Sequence, residues 1–597
     1  ASMQTLYNPS RIAHPLADGE QIPWEEAMKQ FSALIKVSSG AIAYLGRPAS
    51  GSEVDFINDW LNSAGGGKRY KFSLLTQKSQ QEANKISFGR SDIPDYAFEN
   101  AGIVLNFSAD FLEGWGNIVE NARRFAETHS YRNGNKNRLI HISPHISLTG
   151  AKSDRWIVIK PGTEGLVALA IAFVIREEKG NYEFLKKYLE SYTPEKVAEA
   201  TGVSAEKMRE LAKDVMDHGP LLALAGGNLV ATDQCVETLT AVNILNAVAG
   251  ALGKTIRFYD QDPAEISSHN EVKKLISDLN SGQIKLLIID DSNPVYALPP
   301  SMEFIKAMQK AFVVSIASQR SETTHAANLV LPALTAYESW GDAFPRNGVR
   351  SIQQPVMTAV NMFDAKARED ILLNAVKEVN KNAFSGITGY LDYLQNKWRK
   401  IQSEIGNTDK FENFWISVLE NGGIFQNPEF SSVKLSRKVT SAKLNDPGMA
   451  GKDGLTLLPT SSILHGDGSG ANKPWLQEVP NPISQIVWDS WVEINPDTAQ
   501  KMGINDRAIV EVQTANGSLQ ATAYYHFGIH RDAIAIPMGQ GHQYSGDVAD
   551  GFGINVMNLL PNKMDNAGNL AFVGTQAELK MVNAKSYTVN TDGNARQ

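Results

Sequence analysis

Short apolar runs alternate with helical segments through the first 330 residues, and this alternation constrains the fold more than any other feature of the chain. Buried strands are predicted at 41–46, 102–108, 138–142, 221–225, 284–289, 312–316 and 328–332. Helices are predicted at 52–64, 115–128, 164–176 and 233–249. Strands that are apolar on both faces are typical of parallel sheets covered by helices on each side. The sequence therefore predicts an α/β fold.

The pattern changes near residue 455, after which short strands alternate without long helices. These strands are predicted at 508–513, 518–524 and 533–537. The pair Asn516-Gly517 between two of them is typical of a tight hairpin turn. A chain of 597 residues has room for roughly three to four domains. We predict that the last of them is a β-barrel.

Composition and charge exclude several classes of protein. Hydrophobic residues make up 42% of the chain and charged residues 20%, which excludes a disordered or fibrous protein. The formal net charge is 57 − 65 = −8, so we expect no nucleic-acid partner. Because Cys235 is the only cysteine, the chain cannot form an internal disulfide or hold a cysteine-ligated iron–sulfur cluster alone.

Two histidine pairs have spacings that suggest metal ligands, but neither pair fits a local metal site. His141 and His145 are four residues apart, yet Pro144 breaks the helix that would bring them to one face. His526 and His530 would lie roughly 13 Å apart on one strand, too far to share an ion. We therefore interpret these histidines as structural or surface residues.

Two strand ends carry residues that suit a nucleotide-sized crevice. The turn 226–228 (Gly-Gly-Asn) follows the strand at 221–225, and the turn 290–293 (Asp-Asp-Ser-Asn) follows the strand at 284–289. Ligands of open α/β sheets bind at the carboxyl ends of the strands, and a helix that begins at a glycine turn can bind phosphate. The residues themselves leave the chemistry open, and an independent nucleotide-binding enzyme is one alternative.

The order of several segments resembles the molybdopterin oxidoreductase superfamily. The segments that carry this resemblance are 6–15, 22–27, 106–110, 147–165, 475–478, 499–504 and 539–542. The resemblance implies two interleaved doubly wound α/β domains followed by a double-psi β-barrel. The domains implied are a first α/β domain at 1–155 and 345–450, a second at 156–344, and the barrel at 455–597.

A narrower resemblance is to the molybdopterin-oxidoreductase-like, iron–sulfur subunits of alternative complex III, a respiratory quinol:electron-acceptor oxidoreductase. It is carried by the segments 93–98, 109–113, 293–299, 338–346 and 553–561. This resemblance implies a structural subunit that holds no molybdenum, pterin or cluster, has no catalytic residue, and positions iron–sulfur and haem partners for electron transfer. The alternative is an active molybdopterin-dependent catalytic subunit of the polysulfide or thiosulfate reductase type.

The resemblance also implies partners, a location and site residues. The partners are an iron–sulfur domain or subunit, a multihaem cytochrome c with its c-type haems, and polytopic quinol-binding membrane subunits. These membrane subunits would hold the chain at the periplasmic face of the bacterial inner membrane. Ser87, in the segment 83–89 where relatives place the metal ligand, is the one candidate ligand there. The residues expected to line a vestigial crevice are Asn106, Asp110, Gly226, Gly227, Asn228, Asp290, Asn293, Gln540 and His542.

Overall fold

The computed structural model describes residues 2–130, 136–259, 265–427, 429–449, 454–584, 589 and 591. Within these ranges the chain forms two α/β units, each built around its own parallel sheet, and a C-terminal barrel. The predicted α/β class and the barrel are therefore confirmed. Among the helices in these ranges, none combines the length and the hydropathy needed to cross a membrane.

A seven-stranded sheet forms the centre of the first unit. Its strands in spatial order are Glu20–Gln21, Leu16–Ala17, Leu329–Pro332, Phe312–Ala317, Leu286–Asp290, Ile42–Gly46 and Gly67–Lys71. The last five run parallel, as predicted for strands buried on both faces. One face is covered by the helices Trp24–Val37, Ser52–Ser63 and Arg368–Val379, and the other by His269–Asn280 and Phe304–Met308.

A four-stranded parallel sheet forms the centre of the second unit. Its strands in spatial order are Arg155–Val158, Arg138–Ser143, Ile103–Phe107 and Leu221–Ala225. The helices around it are Lys78–Phe88, Ile118–Thr128, Glu164–Lys179, Pro194–Thr201, Ala205–His218 and Cys235–Ala249. Glu164–Lys179 and Cys235–Ala249 pack against each other and are buried along most of their length. This burial is expected of helices that are apolar on all sides.

The strand pairing gives the two units boundaries that differ from the predicted ones at residues 155 and 344. The small sheet takes strands from both sides of residue 155, and the large sheet takes the strands between 286 and 332. The second unit is therefore an insertion that begins after residue 71 and ends before residue 286. A parallel strand that is apolar on both faces has the same composition in either sheet, so only hydrogen-bond pairing assigns it.

A smaller subdomain follows the large sheet. The hairpin Gly341–Arg346 and Val349–Gln353 pairs with Gly423–Phe425, and the helices Tyr390–Glu404 and Phe411–Asn421 pack beside it around Trp398. A second three-stranded sheet joins Phe430–Ser431, Ile256–Tyr259 and Asp95–Tyr96. The shorter helices are Gln4–Tyr7, Leu148–Ala151, Lys186–Leu189, Pro294–Ala297, Glu322–His325, Pro474–Glu478 and Pro496–Lys501.

Six strands close the C-terminal barrel. Their spatial order is Leu455–Thr460, Ala533–Pro537, Trp491–Ile494, Gly517–Tyr525, Ile509–Thr514 and Gln576–Asn583. Its first strand begins at Leu455, and the predicted hairpin turn joins two of its strands. Its apolar side chains share one core with the large sheet. Residues 585–588, 590 and 592–597 of the predicted barrel domain lie outside the described residues.

Candidate functional site

A crevice opens at the carboxyl end of the small sheet, beside the turn at 226–228. Its volume is about 240 Å³. Its walls come from the start of the helix Lys78–Phe88, the loop 114–116 and the barrel segment 569–572. The crevice therefore lies where the second unit meets the barrel, and the predicted residues Gly226, Gly227 and Asn228 line it.

Close packing explains Gly226, and backbone conformation explains Gly227. A Cβ atom at Gly226 would lie 1.9 Å from the indole nitrogen of Trp115, so the ring covers the backbone there. Gly227 has a φ of 78°, in the left-handed region that glycine adopts without strain. At Gly226 the Trp115 ring therefore occupies the space of a side chain, while at Gly227 the nearest atoms to such a position are 3.9 Å away.

Apolar side chains line part of the crevice, and the polar side chains among them are uncharged. The described residues of its wall include no Asp, Glu, Lys or Arg, while Gln77, Gln80 and Asn228 offer amide groups. The Nε2 atom of His269 and the Oδ1 atom of Asn569 are buried without a hydrogen bond of ordinary geometry among the described residues. Burial lowers the pKa of His269 to about 4, so its ring is neutral at neutral pH. This set suits a polar ligand that needs both donors and acceptors.

A second cavity of about 500 Å³ adjoins the crevice and shares Gln77, Trp115 and Gly116 with it. Its cations are already paired. The Nη1 atom of Arg124 lies 2.6 Å from Asp95 Oδ1, and the guanidinium of Arg346 lies 2.9 Å from the Glu120 carboxylate. The two cavities together give a nucleotide-sized ligand more room than the crevice alone.

The predicted residue Asp290 lies at the end of the large sheet, where the protein's own side chains bind it. It accepts hydrogen bonds from the Tyr44 hydroxyl and, at 3.1 Å, from Arg368. Arg368 also pairs with Glu53 at 3.3 Å and with Glu369. Burial raises the pKa of Asp290 to about 7, although Arg368 opposes the shift. Asp290 is therefore part of a buried ionic network, away from the crevice at 226–228.

Asn293 and His542 meet at Glu322, between the large sheet and the barrel. Glu322 accepts from the Asn293 amide at 2.7 Å and lies 3.1 Å from His542 Nδ1. These contacts lower the pKa of Glu322 to about 2, against the effect of burial. Gln540 hydrogen-bonds to Gln477 at 2.7 Å. Asn293 and His542 thus join two units, Gln540 contacts another residue of the barrel domain, and none of the three lines the crevice at 226–228.

Asn106 and Asp110 lie behind the carboxyl end of the small sheet. The Asn106 amide donates to the Ala109 carbonyl at 2.9 Å and contacts His141 Nδ1 at 2.9 Å. Asp110 is buried, and burial raises its pKa to about 6. Both residues shortly precede the loop 114–116 that lines the crevice, but neither of them lines it.

Ser87, the predicted candidate metal ligand, does not reach the crevice. It is fully buried in the helix Lys78–Phe88, where the Asn243 amide donates to its hydroxyl at 3.1 Å. The residues of this region that do line the crevice are 75–77, 79 and 80. The segment 83–89 is thus the wrong part of this helix, because the crevice lies at the first turn of the helix and not at its end.

The structure brings together a buried cluster of His145, Glu493 and His526 that the sequence does not predict. The Nε2 atom of His145 lies 2.6 Å from Glu493 Oε2, and the rings of His145 and His526 stack with centroids 5.0 Å apart. The spacing along the sequence suggests only two local pairs, His141 with His145 and His526 with His530. The two histidines of each local pair do not share a metal site. The packing of the second unit on the barrel brings the three residues together. The spacing of residues along the sequence does not predict this cluster.

Two family models match the chain. Residues 16–374 match the model described as Molybdopterin oxidoreductase, and residues 478–570 match the model described as Molydopterin dinucleotide binding domain. The chain therefore belongs to the molybdopterin oxidoreductase family, as the sequence resemblance implied.

Relatives and a solved structure agree with this assignment. The molybdopterin-binding-like subunit of menaquinone reductase from Nitratidesulfovibrio vulgaris is 24% identical over 96% of this chain and 84% of its own length. The thiosulfate reductase molybdopterin-containing subunit PhsA from Salmonella typhimurium is 20% identical over 94% of this chain and 85% of its own. Acetylene hydratase from Pelobacter acetylenicus has the same fold, with a TM-score of 0.73 at 16% identity over 97% of this chain and 93% of that protein.

These findings overturn the expectation that the chain holds no cofactor. Both matching models describe molybdopterin proteins, and the relatives include a molybdopterin-containing reductase subunit. The crevice fits such a group, because it has the side-chain-free position Gly227 and uncharged donors. Gln77, Gln80 and Asn228 are the side chains placed to hold it. Cys235 also lines the crevice, but burial raises the pKa of its thiol well above the usual value, so the thiol stays protonated.

Proposed function

We propose that this chain is the molybdopterin-binding subunit of a respiratory quinol:cytochrome c (electron-acceptor) oxidoreductase of the alternative complex III type. The observation that carries the proposal is the crevice at Gly226–Asn228, whose uncharged amides and bare backbone suit a pterin nucleotide. The link to quinone is supported by the similarity to the menaquinone reductase subunit, which extends over 96% of the chain.

The residues of the crevice have separate tasks in this proposal. A bound molybdopterin nucleotide would supply redox chemistry. Gly227 lets the ligand approach the backbone, and the amides of Gln80 and Asn228 orient its polar edges. Trp115 lies against the turn and lines both the crevice and the adjoining cavity. No charged side chain among the described wall residues repels an anionic ligand.

The partners and the location follow from the same proposal. We expect an iron–sulfur domain or subunit and a multihaem cytochrome c to exchange electrons beside this chain, and polytopic quinol-binding subunits to hold it at the periplasmic face of the inner membrane. We also propose that the barrel is of the double-psi type. Its two parallel strand pairs, joined through an antiparallel contact between Trp491–Ile494 and Ala533–Pro537, support that topology.

Cofactor analysis of the native complex tests the proposal. The purified complex should release about one fluorescent oxidised pterin and its nucleotide per chain. Asn228→Leu should lower that content at least tenfold, because the new side chain has a similar size but no amide. The matched control is Asn421→Leu, which changes an exposed asparagine at a helix end outside the crevice wall. No pterin in the native complex, or equal content in both variants, would refute the proposal.

Activity assays separate this function from the alternative. The respiratory proposal predicts that the native complex reduces cytochrome c with a menaquinol analogue and purifies with membrane subunits. A catalytic subunit of the thiosulfate or polysulfide reductase type is favoured by the similarity to PhsA, which spans 94% of the chain. That alternative predicts reduction of thiosulfate or polysulfide with stoichiometric molybdenum, and no transfer from quinol to cytochrome c.

A further inference from the structure

We infer that His145, Glu493 and His526 form a binding site for a divalent transition-metal ion, with zinc the best match, between the second α/β unit and the barrel. One nitrogen or oxygen atom from each residue lies within 4.8 Å of the ligand atoms of the other two. All three side chains are buried, with relative exposures of 5%, 4% and 5%. This site lies outside the wall of the pterin crevice and is independent of the proposed function.

The backbone fixes the three residues relative to one another. His145 follows the strand Arg138–Ser143, and its loop pairs with the loop after Gly517–Tyr525. The Ile146 amide donates to the Gly528 carbonyl at 2.7 Å, and the His530 amide donates to the Pro144 carbonyl at 2.8 Å.

Glu493 and His526 are fixed within the barrel itself. Glu493 lies on the strand Trp491–Ile494, and the His526 amide donates to the Ile494 carbonyl at 2.9 Å. Backbone hydrogen bonds thus fix the positions of the three residues, while their side chains adjust when an ion binds.

Two buried nitrogen atoms of the cluster have no hydrogen-bond partner among the described residues, and this leaves one of them available to an ion. The Nε2 atom of His526 and the Nδ1 atom of His145 are buried and have no hydrogen-bond partner among the described residues. A buried polar atom without a partner is unfavourable, and it is rare in folded proteins. An ion bound by the cluster removes this penalty at His526.

The present hydrogen bonds indicate what must change when the ion binds. His526 Nδ1 accepts from the Gly528 amide at 3.0 Å, which places the proton of the neutral ring on Nε2. Coordination through Nε2 requires the ring proton to move to Nδ1, and a rotation of the imidazole away from the Gly528 amide accommodates it. The proton that His145 shares with Glu493 is released to solvent when Nε2 of His145 becomes a ligand.

The ligand types select the class of ion. Two imidazoles and one carboxylate are a donor set that zinc uses, whereas calcium and magnesium prefer oxygen ligands alone. The indole nitrogen of Trp491 donates to Glu493 Oε1 at 2.9 Å and orients the carboxylate, as contacts behind metal ligands commonly do. Asp110 is buried near His145 and has one oxygen without a partner among the described residues, so it or a water molecule is available as a fourth ligand.

Zinc binding to the full chain tests this inference. The chain is treated with a chelator, incubated with zinc chloride, freed of excess metal and analysed by mass spectrometry. We expect about one zinc ion per chain and a rise in Tm of about 2 °C at a hundredfold excess over Kd. His526→Gln should lower zinc affinity at least tenfold and abolish the rise in Tm.

A neighbouring histidine provides the matched control. His530→Gln changes a partly exposed histidine of the same loop that is not part of the cluster, and it should keep the zinc. Cobalt substitution adds a spectroscopic readout, since visible absorption bands should appear in the parent chain and in His530→Gln alone. If His526→Gln does not fold, Glu493→Gln measured in the same way decides the matter. No retained zinc in the parent, or equal retention in the ligand and control variants, overturns the inference.

Discussion

Arg11 and Glu338 form a two-pronged ion pair that is closed to solvent. The guanidinium Nη2 atom lies 2.6 Å from one carboxylate oxygen and Nη1 lies 3.3 Å from the other. Glu338 also accepts from the Thr335 and Val360 amides at 2.9 and 2.8 Å, so the pair joins the N-terminal segment to the chain that leaves the large sheet. These contacts hold the pKa of Glu338 below its usual value, although burial opposes them.

Breaking this pair should destabilise the fold strongly. Glu338→Gln leaves the Arg11 charge buried without a counter-ion, and we expect a loss of about 3–5 kcal/mol in the free energy of unfolding. The double variant Arg11→Met with Glu338→Leu should lose less than Glu338→Gln, because no charge is then stranded. Urea denaturation of the variants measures both effects.

An exposed ion pair supplies the comparison. The Nη2 atom of Arg531 lies 2.6 Å from Asp497 Oδ2, and both side chains are largely solvent-accessible. Arg531→Gln should change the free energy of unfolding by less than about 1 kcal/mol. A similar loss in the free energy of unfolding at both pairs would show that burial does not account for the contribution of the Arg11–Glu338 pair.

Glu164 should make the stability of the chain fall as the pH rises. Its carboxylate is fully buried and accepts from the Ser108 hydroxyl at 2.8 Å, and burial raises its pKa to about 7. The folded chain therefore holds a proton that the unfolded chain releases near its ordinary pKa. The stabilising contribution is complete below about pH 4.5 and is lost as the pH rises through about 7, a change of roughly 3 kcal/mol.

The variant Glu164→Gln isolates this effect. It should be more stable than the parent above pH 7 and nearly equal to it below pH 4.5, as measured by urea denaturation across that range. Glu199→Gln, an exposed glutamate on the surface of the same unit, should leave the pH profile of the parent unchanged. A parallel shift of the Glu164→Gln profile at all pH values would contradict the prediction.

Asp342 should be needed for the start of the helix Ser52–Ser63. Its carboxylate accepts from the Ser52 amide at 2.7 Å, the Ser52 hydroxyl at 2.6 Å and the Trp398 indole at 3.0 Å. A carboxylate therefore already occupies the terminus of the helix that follows the strand Ile42–Gly46. Asp342→Ala should lower the free energy of unfolding by about 1–3 kcal/mol, while Asp342→Asn should lose less, and urea denaturation measures both.

Gly226→Ala should close the crevice. The added methyl group would lie 1.9 Å from the Trp115 indole nitrogen, so the ring must move toward the space that the ligand needs. We expect at least a tenfold loss of pterin nucleotide in the purified complex. Combining it with Trp115→Ala should restore part of the content, because the methyl group then has room. Full retention of the pterin nucleotide in Gly226→Ala would show that the turn at Gly226 does not form part of the ligand site.

The sequence by itself determined the local elements of this protein. The strand predicted at 221–225 is observed as Leu221–Ala225, and the helix predicted at 164–176 as Glu164–Lys179. Hydrophobic periodicity and turn residues act over a few neighbouring positions, so they are readable in one sequence. The glycine turn at 226–228 is predictable in the same way.

Only the tertiary structure decided how these elements meet. Strand pairing, and not composition, assigned the strands Ile103–Phe107 and Arg138–Ser143, which precede residue 155, to the small sheet. The crevice wall combines residues near 77, 115, 227 and 569, and the metal-ligating cluster combines His145, Glu493 and His526. Such contacts join positions hundreds of residues apart, and they depend on the packing of whole units. Local periodicity carries no information about that packing, because a buried strand or histidine has the same neighbours in sequence wherever it docks.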